Sequence, residues 1–261
     1  MREIDETKAP LLEHLIELRK RLIYCIWAMV LTGAICFYFA DDILAFLVAP
    51  LKSGFGAGGG GKLVYTKLYE AFFVQIKIAV FGGFFCSFPI IANQLWAFIA
   101  PGLYAKEKKA LLPFLLATPI LFLMGAALAY YAVMPTAFHF FLKFQGKLGG
   151  VQLEALPSID SYLGLVMQFI LAFGVSFLLP VLVMLLNQAG IVSRAQLVSV
   201  RRYVIVGAVI VAAALTPPDA LSMVMLAVPL VLLYEITLIA IWFTDRRKAA
   251  EEASANLPAK A

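Results

Sequence analysis

The sequence predicts an all-α integral membrane protein with six transmembrane helices and both ends in the cytoplasm, and three observations carry that prediction. Hydrophobic residues make up 63% of the 261-residue chain, charged residues only 14%, and the mean hydropathy is +0.93. A soluble chain is about 45–50% apolar and about 25% charged, so a water-soluble fold has nowhere to put this much apolar surface. Apolar runs near the ~20 residues that a bilayer core requires recur along the chain. Lys and Arg gather at alternate ends of those runs, so the net charge of +5 reads as membrane topology and not as a nucleic-acid face. The three cysteines, Cys25, Cys36 and Cys86, lie inside apolar stretches without metal or disulfide spacing, and read as small apolar fillers.

In chain order the expected spans are 22–40, 71–97, 110–134, 161–187, 203–215 and 221–243. No Pro/Ser-rich linker divides them, which gives one membrane domain over 1–246 and a flexible cytoplasmic tail over 247–261. The fifth run is short, and only Thr216-Pro217-Pro218-Asp219 separates it from the sixth. Two consecutive prolines remove two N–H donors and crowd the preceding turn, so a tight reversal between two short spans is expected. With six spans, fifteen Lys and Arg fall on the side of the N-terminus, the second and fourth loops and the tail. Five fall on the other side (Lys52, Lys62, Lys67, Lys143 and Lys147), and Lys77 lies inside the second span. That threefold bias sets an N-in, C-in orientation. The acidic N-terminus has no small-residue cleavage site, so the first span reads as retained.

Catalytic motifs fail on inspection. Gly56 to Lys62 spells G-x-x-x-x-G-K, but Leu63 stands where a phosphate loop needs Ser or Thr, and no strand precedes it. A flexible linker is the expectation there. The only histidines, His14 and His139, fall on opposite sides. No metal cluster, nucleophile–base pair or cofactor site is visible, and no enzyme is expected. Leu11, Leu15, Leu18 and Leu22 form an apolar stripe opposite Glu13, Glu17, Lys20 and Arg21, which describes an interfacial helix with Glu17 and Arg21 paired at i,i+4. The second inner loop keeps large apolar residues at the water boundary, with Glu107 near the positive start of the third helix. Asp219 reads as a helix N-cap.

Taken together these segments resemble a known family. The run His14-Leu15-Ile16-Glu17-Leu18-Arg19-Lys20-Arg21-Leu22, then Ala49-Pro50-Leu51, then Gln94 to Tyr104 with Glu107, closely resembles TatC, the receptor component of the twin-arginine protein translocase. Ala172 to Phe177, Arg202-Tyr203-Val204 with Gly207-Ala208, and Leu215 to Asp219 continue the match in the family's order, covering about residues 8 to 243.

The resemblance implies a signal-peptide receptor in a bacterial inner membrane that exports folded proteins with the proton motive force. It places the signal-binding acids on Glu17 and Glu107, with Arg19 and Arg21 beside them and Phe98 and Leu103 as the apolar surface. Two guanidinium groups call for two carboxylates, because each planar fork can be accepted bidentately. On the outer side it singles out Pro50, Phe72 and Asp219 as a cap and hairpin, and it puts docking of single-span partners of the TatA and TatB type near Thr216 and Met223. Other implied partners are further copies of the chain and membrane lipid, with no nucleic acid. Prolines 89, 119, 180 and 229 would bend the spans into a concave wall. One departure stands out: relatives often carry a glutamate within Ser176-Phe177-Leu178-Leu179-Pro180, and here both central residues are leucine, leaving Gln168 or Glu235 to take up part of that role. Rival readings are a small-solute transporter, against which no internal repeat is visible, and a membrane scaffold whose acids only balance local Lys and Arg.

Overall fold

The computed structural model describes the backbone of residues 3–54, 62–103, 108–143, 145–148, 151–153, 156–188, 190–216 and 220–255. Side chains are described for 14–52, 62–98, 114–143, 145, 156–188, 190–216 and 220–246. The glycine-rich segment 55–61, read above as a linker, lies outside them, as do Glu107, Asp219 and the side chain of Leu103.

Helix α1 (Glu3–Tyr38) absorbs both the amphipathic segment and the first span. No Gly or Pro interrupts Leu11 to Thr32, and the segment is rich in Leu, Glu, Lys and Arg, so nothing stops a helix at the expected junction near residue 22. The separate interfacial helix is thereby corrected to the first turns of a 36-residue helix. A short α2 (Ala40–Gly54) follows, with Asp41 and Asp42 in its first turn and Lys52 in its last, each complementing the helix dipole. Helix α3 (Glu70–Leu103) runs antiparallel to α1 and passes through Pro89 unbroken.

The next two apolar runs are interrupted. Helix α4 (Lys108–Leu128) passes through a π turn (Ala129–Val133) into α5 (Met134–Leu142), so the third run extends beyond residue 134. Pro135 has no N–H for the Tyr131 carbonyl, and the ladder has already widened there, with Met134 N–H donating to Ala129 O. A hairpin of β1 (Gly146–Leu148) and β2 (Val151–Leu153) fills what the sequence leaves as a plain loop. Helix α6 (Ile159–Ser176) gives way at Phe177 and Leu178 to α7 (Leu179–Gln188), because Pro180 cannot donate to the Ser176 carbonyl and restricts the residue before it.

The short α8 (Arg194–Ser199), opened by a Ser193–Gln196 capping box, leads to α9 (Arg201–Leu215) and α10 (Ala220–Ala255). At 15 residues, α9 is about 22 Å long, below the ~30 Å of a bilayer core. Five helical segments are long and apolar enough to cross: His14–Tyr38, Glu70–Phe98, Phe114–Leu142, Ile159–Gln188 and Ala220–Arg246. The last corrects the expectation that the sixth helix is short. Its apolar part is 27 residues, and Pro229 is carried inside it, as membrane helices allow. The helix also continues to Ala255, into the segment expected to be a flexible tail.

The principal core joins α2, α3, α5, α6, α9 and α10 around Phe169, Phe173, Leu163 and Leu226. Helices approach most closely at glycine. A Cβ on Gly83 would meet Gly33 Cα at 2.7 Å, and the Thr32 hydroxyl donates to Gly83 O at 2.8 Å across the same α1–α3 contact. A Cβ on Gly125 would meet Phe173 O at 2.4 Å. Small residues of this kind let helix backbones pack where no hydrophobic force separates protein from lipid. Gly83→Leu is therefore expected to destabilise the protein by about 1–3 kcal/mol. Gly207→Ala, whose Cβ would meet nothing within 4 Å, should leave thermal unfolding in detergent unchanged or slightly later.

Candidate functional site

The N-terminal part of α1 and the C-terminal part of α3 come together in a polar cluster. Residues three and four apart share a helix face, and those spacings put His14, Glu17 and Arg21 in one row of α1. The Arg21 Nε and Nη2 groups donate to a single oxygen of Glu17, Oε1, at 2.9 and 2.5 Å. A third nitrogen, Nη1, donates to Gln94 Oε1 of α3 at 3.2 Å. The His14 ring stacks on Phe98 with centroids 4.1 Å apart, and its Nδ1 lies 4.0 Å from Glu17 Oε2.

Gln94 and Phe98, four apart, face α1. Trp96 lies near the opposite side of α3 and donates from Nε1 to the Thr118 hydroxyl at 2.7 Å; that hydroxyl donates on to Phe114 O at 2.7 Å. The segment 94–98 is thus held between α1 and α4. Of the expected recognition residues, Glu17, Arg21 and Phe98 come together here, while Arg19 is exposed. Arg21 acts on Glu17 by orienting it and occupying one of its two oxygens. His14 and Gln94 were not singled out in the sequence; the signal for both was a polar side chain recurring beside the Glu17 row and inside the Trp96 motif.

The expected residues at the other end are scattered. Pro50 is buried in α2, and Phe72 is exposed on α3. Thr216 is buried and donates its hydroxyl to Ala212 O at 2.8 Å, while Met223 packs against the main core. A second polar group there was not foreseen. Buried Glu70 accepts from Thr66 N, the Thr66 hydroxyl, Lys67 N and Asp160 N at 2.6, 2.8, 3.1 and 3.0 Å. Lys77 pairs with Asp160 of α6, so it does not simply extend toward water as an isolated lysine inside a span would.

Between these ends lies a cavity of about 940 Å³, walled by Trp96, Thr118, Gln168, Leu178, Leu179 and Leu215 among others. Its lining is almost wholly apolar. Gln168 Nε2 donates across it to Leu215 O, the last carbonyl of α9, at 2.9 Å. Glu235 pairs with Arg201 at 3.0 Å, tying α10 to the start of α9. Among the described residues no group of three His, Cys, Asp or Glu side chains is placed to hold a metal.

Long antiparallel apolar helices with a carboxylate–guanidinium cluster at one end define a multi-span membrane protein whose polar chemistry suits recognition. The family model described as "Sec-independent protein translocase protein (TatC)" matches residues 13–229. The TatC of Magnetococcus marinus is 49% identical over 249 residues, covering 95% of this chain and 90% of that protein. The TatC of Escherichia coli K12 is 42% identical, covering 89% and 88%. A crystal structure described as the twin arginine translocase receptor TatC in DDM superposes with a TM-score of 0.74 at 39% identity, covering 87% of this chain and 98% of that one. The chain belongs to the TatC family: it is a protein translocase subunit and not an enzyme.

The Arg21–Gln94 bond gives a direct test of how the cluster is held. Gln94→Leu should cost about 0.5–1.5 kcal/mol in detergent unfolding, whereas Gln94→Glu, which still accepts from Arg21, should unfold at or above the original temperature.

Proposed function

We propose that this protein binds twin-arginine signal peptides of folded precursors at the end that carries Glu17, and supports their export across a bacterial inner membrane driven by the proton motive force. The observation that carries the reading is the state of Glu17. Arg21 engages only Oε1, so Oε2 remains to accept a guanidinium from a peptide. Glu107 supplies the second carboxylate and Leu103, with Phe98, the apolar surface; Arg19 and Arg21 orient the acids. An exposed ion pair contributes only about 0–1 kcal/mol, so Arg-over-Lys discrimination rests on the fixed fork of the guanidinium, two N–H groups on one oxygen as Arg21 itself makes, and on partial desolvation against the His14–Phe98 stack.

The excess of Lys and Arg on the N-terminal side supports an orientation with both ends in the cytoplasm, where a precursor's signal first arrives. In that arrangement α9 is a sixth, short crossing that thins the bilayer or recruits neighbours. Single-span TatA- and TatB-type subunits dock along the α9–α10 edge near Thr216 and Met223, further copies of the chain assemble beside them, and Pro50, Phe72 and Asp219 form the outer cap and hairpin. The proline-interrupted runs give a concave wall, whose apolar cavity receives the signal's hydrophobic segment.

Charge reversal at both acids (Glu17→Lys with Glu107→Lys) is expected to abolish precursor crosslinking and export of folded cargo, and purified protein should retain twin-Arg over twin-Lys signals by at least tenfold, about 1.4 kcal/mol. Normal export in the double variant, or equal retention of the two signals, would overturn the reading.

A further inference from the structure

We infer that Pro50 shapes the short helix α2 by withholding a hydrogen, and that Tyr130, from the π turn of the third apolar run, is the positioning residue that answers it. In an α-helix the N–H of residue 50 would donate to the carbonyl of residue 46. A proline has no N–H, so the Phe46 carbonyl loses that donor by covalent structure alone. The Tyr130 hydroxyl donates to this carbonyl at 2.6 Å, across 84 residues of sequence. The two aromatic rings stack beside the bond, with centroids 4.3 Å apart and planes 7° from parallel.

The adjoining carbonyl is held in the same way. The Tyr162 hydroxyl of α6 donates to Leu47 O at 2.7 Å, across 115 residues. Two phenols from two different helices therefore grip neighbouring carbonyls of α2. The π turn explains how Tyr130 is aimed. The widened turn at Ala129–Val133 leaves Tyr130 buried at 7% exposure and its neighbour Tyr131 outside at 71%. Single π turns of this kind commonly re-aim side chains at working positions.

The two tyrosines are not equivalent, and the difference is what makes the idea testable. The helix position that faces the Leu47 carbonyl is the N–H of Leu51, which also lies against the Tyr162 hydroxyl, so neither depends on the missing hydrogen of residue 50. Phe46 depends on residue 50. Replacing Pro50 by alanine restores an internal donor and makes the Tyr130 hydroxyl redundant, while Tyr162 keeps its full value. A part-buried carbonyl left without a donor is costly, so the loss should be measurable.

The experiment is a double-variant cycle on the full-length protein in detergent. Tyr130→Phe keeps the stacked ring and removes only the hydroxyl. It should lower the unfolding temperature by about 2–4 °C, the shift expected for losing one buried hydrogen bond in a chain of this size. In the Pro50→Ala background the same substitution should lower it by less than half as much, whereas Tyr162→Phe should cost the same in both backgrounds. Equal losses from Tyr130→Phe in the two backgrounds, or no loss in either, would overturn the inference. If Pro50→Ala does not fold, spin labels at Ala45 and Thr136 in a cysteine-free version decide: Tyr130→Phe should broaden their distance distribution and Tyr131→Phe should not. An unchanged distribution in Tyr130→Phe refutes the role.

Discussion

In hydrocarbon, a backbone carbonyl or amide released from its helix has no water to turn to. This constraint organises the molecule more than any single packing contact. Helices dominate the described residues because a helix satisfies its own backbone, and three prolines show how the chain adjusts where the ladder is interrupted. At Pro135 the ladder widens into a π turn. At Pro180 the chain makes a two-residue turn in which Phe177 and Leu178 N–H groups find Phe173 O and Val175 O. In α2, which is not one of the five long apolar segments, the same accounting is met from outside the helix, where the Tyr130 hydroxyl serves the carbonyl that Pro50 cannot.

The same rule governs side chains. Thr32, Thr118, Thr136, Thr216, Thr237 and Thr244 all return their hydroxyls to a carbonyl one turn back. Gln168 spends its amide on the exposed end of α9. Lys77 and Glu235, charges that fall within the long apolar segments, have partners as well, because an isolated charge in hydrocarbon is expensive. Lys77 has Asp160, and Arg201 has Glu235. The cluster at the end of α1 is the place where the rule relaxes. Glu17 is more than a third exposed and engages Arg21 through one oxygen only.

Much of this was legible from residue order. The helical class, the positions of the long apolar runs and the i,i+4 pairing of Glu17 with Arg21 follow from composition and spacing, both local properties. The motif around Trp96 and the row around Glu17 were enough to identify the family. The misreadings have physical causes too. A junction near residue 22 was expected because amphipathic and apolar patterns differ, yet a change of pattern without a breaker does not end a helix. The sixth helix was expected to be short because Pro217-Pro218 reads as a tight reversal between two short spans, yet no breaker in Ala220–Arg246 ends the helix once it has started.

Sequence by itself determined which segments leave water, because burying about twenty apolar residues in a row overrides any other local preference. It also fixed which carbonyls would lack a donor, since proline declares that covalently. Only the tertiary structure decided who answers. Nothing near Pro50 points to Tyr130, nothing near Lys77 points to Asp160, and nothing near Arg21 points to Gln94; the partners lie 84, 83 and 73 residues away along the chain. Hydrogen bonds act over about 3 Å, so such pairings depend on how helices are set side by side, and that arrangement is settled by the packing of glycine against backbone and ring against ring.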